Sequence, residues 1–130
     1  MRRPTLDTFT RAYVTCALWL LDEDPGPGEW SEHGRYTIAN IHGDTLRQMV
    51  ADCQRFQEDN PGNLEEAYDY GLTEVQAGHD FWLSRSGHGA GFVDHGDSAC
   101  FDWLQKAARA FEEFDLYFGN TGRIYGYPIG

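Results

Sequence analysis

The chain has 130 residues, with 21 acids against 10 bases and a formal net charge of -11. Apolar residues make up 41% and aromatics 15%, too much core material for a disordered chain, and the length suits one domain. Nine of the bases are Arg, and the surplus of carboxylates opposes binding to DNA, RNA or anionic lipid, because each phosphate contact needs a cation to displace counterions.

From Asp7 to Leu21, apolar residues recur at Phe9, Tyr13, Cys16 and Leu20 with helical spacing. The helix is expected to stop at the Pro- and Gly-rich segment Asp22-Glu23-Asp24-Pro25-Gly26-Pro27-Gly28. Asp22, Glu23, Asp24, Glu29 and Glu32 make this a base-free acidic loop. Residues 36–41 read as a short turn or strand that docks the next helix. That helix starts at an Asp44 N-cap and carries Leu46, Met49, Val50, Cys53 and Phe56 on one face. It closes at Asn60-Pro61-Gly62, and Leu64 to Tyr70 follow as a short helix. Glu58, Asp59, Glu65, Glu66, Asp69 and Glu74 form a second stretch of acids without a base.

Phe81-Trp82-Leu83-Ser84 and Ala90-Gly91-Phe92-Val93 flank a Gly-containing bend, which predicts a β-hairpin. Asp97 or Ser98 caps a further helix bearing Phe101, Leu104, Ala108 and Phe111. Leu116-Tyr117-Phe118 and Arg123-Ile124-Tyr125 surround Gly119-Asn120-Thr121-Gly122 as a second hairpin. The expected fold is α+β, with about three main helices on a small antiparallel sheet made of two hairpins, in a single domain spanning 1–130.

Cys16, Cys53 and Cys100 are odd in number and fall on apolar stripes, so they read as buried thiols of a reducing compartment. The interrupted apolar run near the N-terminus does not fit a signal peptide, and residues 12–21 are too short to span a bilayer. A cytoplasmic location is expected, with no membrane partner.

The densest polar cluster is His79, Asp80, Arg85, His88, Asp94, His95 and Asp97. Imidazole and carboxylate are metal ligands and general acids or bases, so a small metal-binding protein or hydrolase with its site at 79–97 is one reading, using His79, Asp80, His88 and Asp94. No helical His pair is present, and only His33 or His42 offers a further ligand, so no metal and no cofactor is expected. In the structural reading, Asp80 ties down the turn and Arg85 pairs with Asp80 or Asp94 across the strands. Gly87, Gly89 and Gly91 lack the strand-to-helix context of a P-loop and read as turn and packing glycines. Ser84, Ser86 and Ser98 sit in no nucleophile elbow. Trp82, Trp103, Tyr117, Tyr125 and Tyr127 are expected in the core and on the sheet face.

The run Ala77-Gly78-His79-Asp80-Phe81-Trp82-Leu83 leading into Gly87-His88-Gly89-Ala90-Gly91-Phe92 resembles the signature of a group of small acidic bacteriophage proteins. Phe9-Thr10-Arg11-Ala12-Tyr13 with Ala17-Leu18-Trp19 resembles that group's first helix. Asp115-Leu116-Tyr117-Phe118-Gly119-Asn120 with Gly122-Arg123-Ile124-Tyr125 resembles its closing hairpin. Val93-Asp94-His95-Gly96 stands where the group carries Trp-Asp-Arg-Gly. The resemblance implies expression in an infected bacterium more than an activity, since these proteins are mostly without an assigned function. It singles out His79, Asp80, Trp82, Arg85, His88, Gly89 and Gly91 as a motif of unassigned role.

Charge and resemblance together give the expected function: a non-enzymatic phage or mobile-element protein that inhibits a host nucleic-acid-handling or defence complex, of anti-CRISPR or anti-restriction type, through a DNA-mimicking acidic surface. Its expected partner is a basic host protein that binds nucleic acid, with no direct nucleic-acid contact. A phage structural or interaction module is the blander alternative.

Overall fold

Asp7 opens the first helix: its carboxylate accepts the Thr10 amide at 2.7 Å, and its carbonyl accepts the Arg11 amide. A computed structural model describes residues 4–23, 36–87, 91–119 and 122–129. Among these, α1 runs Thr8–Glu23, α2 Gly43–Asp59, α3 Pro61–Asp69, α4 Glu74–Ser86 and α5 Ala99–Arg109. Strands β1 (Glu113–Phe118) and β2 (Ile124–Ile129) form a two-stranded antiparallel sheet, and short 3-10 turns occupy Ile38–Asn40 and Gly91–His95. The architecture is α+β and mostly helical.

The periodic helices fall where their apolar stripes predict. In α2, Leu46, Met49, Cys53 and Phe56 are fully buried. Asp44 is not its cap, however. His42 is, with Nδ1 accepting the Asp44 amide at 3.3 Å, while Asp44 sits in the first turn paired with Arg47. Pro61 occupies the first turn of α3, where its missing N–H costs nothing.

The hairpin expected around residues 84–90 is not formed. Phe81, Trp82, Leu83 and Ser84 lie inside α4, so among the described residues the sheet has two strands rather than about four, and there are five helices rather than about three main ones. Local chemistry explains this. Thr73 caps α4 through the Gln76 amide at 3.1 Å, and the Gln76 side chain returns to the Thr73 amide at 3.0 Å, a reciprocal capping box. Gly87 ends the helix with a left-handed φ of 73°, its amide bonded to the Leu83 carbonyl. Gly78 costs helix propensity but lets α4 approach α1 closely: a β-carbon there would collide with the Phe9 carbonyl and stand 2.9 Å from Ala12 Cβ.

An aromatic stack forms the core. Phe56 lies 4.3 Å from Phe81, 5.7 Å from Phe92 and 5.9 Å from Phe9 between ring centroids, and Tyr13 stacks on Phe81 at 5.0 Å. Each fully buried side chain of this size contributes about 2–3 kcal/mol over its exposed state, and aromatic pairing adds about 1 kcal/mol. The hairpin β1–β2 closes the core with Phe114, Leu116 and Ile124, in a register that sets Tyr117 opposite Tyr125. It is tied to the start of α2 by a parallel bridge between Ile41 and Ile124 and by the Gly126 amide on Thr45 Oγ1 at 3.1 Å. Tyr117, Tyr125 and Tyr127 group on its outer face, as expected of sheet-face residues.

Candidate functional site

The fold divides the polar cluster among three places. His79 and Asp80 are neighbours on α4 and diverge. His79 is half-buried in a groove with Leu6, Thr8, Arg11 and Val75, where desolvation lowers the imidazole pKa. Asp80 is buried and meets His95 instead, Oδ2 to Nε2 at 2.5 Å, which fastens the 91–95 turn onto α4. Burial pushes the Asp80 carboxyl up to about 6; His95 opposes that rise and Asp94 adds to it. His42, considered as a ligand, caps α2 and stacks on Tyr125 at 4.8 Å.

Arg85 pairs with neither Asp80 nor Asp94. Because α4 is a helix, Arg85 turns inward and reaches Asp52 of α2, Nη1 to Oδ2 at 2.8 Å. The same nitrogen donates to the Tyr13 hydroxyl at 3.1 Å, Nε donates to the Glu112 carbonyl at 2.8 Å, and Nη2 to the Phe111 carbonyl at 2.9 Å. Phe81, Phe111 and Phe114 surround the guanidinium, with centroids 5.3–5.7 Å from Cζ. A cation so enclosed and so fully bonded is a structural element rather than a substrate-binding group.

The remaining motif residues pack. Trp82 is buried with its ring edge-on to Tyr13 at 5.4 Å. Gly91 has a φ of 68° and no room for a side chain, since a β-carbon would strike Ser84 Oγ. Ser84 in turn donates to Gln105 at 2.9 Å, and Ser86 bonds the Trp82 carbonyl one turn back. His88 and Gly89 lie outside the described residues. Burial pushes the Cys16 thiol up to about 11, with Asp80 adding to the rise, and also raises Cys53 and Cys100, so none is poised as a thiolate. Among the described residues, no group of three or more His, Cys, Asp or Glu side chains is placed to hold a metal.

The second acidic stretch has a different character. Glu58, Asp59, Glu65, Glu66, Asp69 and Glu74 are all exposed, and they run from the end of α2 across α3 to the first turn of α4. Among the described residues only Asp59 has a cation within ion-pair distance, Arg55 at a loose 3.8 Å. The 61%-exposed Tyr70 adds to this side, its ring 6.1 Å from that of Phe101 on α5, against which α3 packs. Of the first acidic stretch, Asp22 and Glu23 fall in the last turn of α1, whereas Asp24, Glu29 and Glu32 lie outside the described residues.

No family model, curated protein or solved structure matches this chain. No helix among the described residues is long and apolar enough to cross a membrane.

Nothing in the sequence singles out Asp52, and His95 and Trp103 take contacts that their surroundings in sequence do not predict. His95 stands four residues from the 91–95 turn's start with no helical pattern to place it. Trp103 was expected in the core, but it is 55% exposed, with its indole N–H bonded to Asn60 Oδ1 at 3.0 Å.

Proposed function

We propose that this protein is a non-enzymatic binder which occupies a basic, nucleic-acid-binding surface of a host protein through the acidic band from Glu58 to Glu74. The observation that carries this reading is the exposure of all six carboxylates, with a single loose ion pair among them. Unpaired surface carboxylates create a field that steers a basic partner and compete for the cations which otherwise hold phosphates. The likeness of residues 77–92 to phage proteins supports a setting in the host cytoplasm and a target such as a restriction or CRISPR complex.

DNA competition tests the reading. Protein immobilised at its C-terminus and exposed to bacterial lysate should retain a basic partner that double-stranded DNA displaces. Retained partners indifferent to excess DNA would contradict mimicry and leave a phage structural or interaction module as the better account.

The hydrolase reading has one observation in its favour, the Asp80–His95 contact. That pair fastens the 91–95 turn onto α4 and does not include His79, which lies in a separate groove against α1.

A further inference from the structure

A groove of about 400 Å³ between the C-terminal half of α2 and the outer face of α5 differs in sign from its surroundings. Trp103, Lys106, Ala107 and Ala110 line it at helical offsets of three, four and seven, so one face of α5 forms a continuous wall. Arg55 and Asp59 approach from α2. Two cations against one carboxylate leave it with a net positive charge in a chain of net charge -11.

Its geometry is fixed in advance. Asn60 is buried and donates to the Phe56 carbonyl at 2.8 Å, while its Oδ1 accepts the Trp103 indole N–H. The indole is thereby held with more than half its surface open. Arg55 places its guanidinium 5.0 Å from the Phe111 ring centroid, covering that ring. Ala107 and Ala110 leave depth between the two sides.

We propose that this groove binds a small planar aromatic anion, a flat ring carrying a phosphate or carboxylate. The ring stacks on the Trp103 indole, and the anion lies between Arg55 and Lys106. Aromatic stacking and cation pairing are worth about tenfold each in affinity at such a half-open site. The groove meets the acidic band only at Asp59, the partner of Arg55; the other five carboxylates of the band do not line it, and the occupant proposed for the band has the opposite charge.

The test uses the full chain labelled with 15N and follows the Trp103 indole N–H signal, assigned by its absence in Trp103→Phe. Adenosine monophosphate supplies the phosphate arm, 2-naphthoate the carboxylate arm, and adenosine the uncharged control. At least one anionic probe should shift the signal saturably below about 10 mM, with adenosine about tenfold weaker than adenosine monophosphate if phosphate is the group recognised. Lys106→Glu should weaken binding about tenfold, and Trp103→Ala should do so when the Ala107 and Ala110 amides are followed instead. Both substituted residues are exposed, so the variants should fold, which the dispersion of their amide signals checks. Silence from both anionic probes, or unchanged binding in either variant, overturns the proposal. Adenosine binding as well as its monophosphate, with 2-naphthoate silent, overturns it too.

Discussion

The Arg85 guanidinium meets the Asp52 carboxylate at 2.8 Å, joining α4 to α2 across 33 residues of sequence. Arg85 is 4% exposed, and its other hydrogen bonds hold the Tyr13 hydroxyl and the carbonyls that lead from α5 into β1. One side chain thus ties two further helices and the start of the sheet to α4.

Among the described residues, removing Arg85 leaves Asp52 with only the Gln48 amide, at 2.8 Å, and strands two carbonyls. Breaking a buried pair from one side costs about 3–5 kcal/mol, more than a typical surface change by several-fold. Arg85→Met should lower stability by that amount in urea unfolding. Arg85→Met with Asp52→Leu should cost clearly less than the sum of the single changes, because no charge is then left unpaired. Additive losses would show that the two residues stabilise the fold separately.

Glu112 takes a φ of 64°, a left-handed conformation that a residue with a β-carbon adopts at a cost of about 1 kcal/mol. Its side chain is exposed, and the contact that matters is its carbonyl, held by Arg85. Glu112→Gly keeps that carbonyl and should raise stability by about 0.5–1 kcal/mol, visible as a higher thermal midpoint. A fall would mean that the Glu side chain contributes something its exposure does not suggest.

The Asp80 carboxyl titrates at about 6 in the folded protein against 3.8 for the free group, chiefly because it is buried. Between those values the folded state holds the additional proton, so the contribution of this group to stability falls as pH rises from about 4 to about 6, by at most about 1.4 kcal/mol per pH unit. Asp80→Asn cannot ionise, and its stability should be flatter across that window. An unchanged slope in the variant would place the titration elsewhere.

How much of this could be read in advance depended on whether the signal was local. The stripes of α1, α2 and α5 repeat over several turns, so those helices were legible. The closing hairpin was legible from Gly119 and Gly122 between aromatic strands. In α4, Gly78, Trp82 and the glycines after Ser86 imitate strand and turn. The overlooked local sign was the Thr73 and Gln76 capping box. With 81–84 as a strand, Arg85 faces the wrong neighbours, and no spacing rule links it to Asp52. The exposure of the six acids between Glu58 and Glu74 was legible because acids without local cations stay in water, whereas Trp103 read as core because an aromatic on a strongly amphipathic helix more often faces inward.

If the acidic band captures a basic partner, the binding must depend steeply on salt. Glu65→Gln, Glu66→Gln, Asp69→Asn and Glu74→Gln change exposed side chains, so the combined variant should fold and unfold like the parent. Affinity for the DNA-displaceable partner is to be measured against sodium chloride from low to physiological concentration for both proteins. The parent should lose affinity steeply with salt, and the variant should bind at least about tenfold more weakly at low salt with a much shallower slope. Equal affinities and equal slopes for the two proteins would contradict capture by the acidic band.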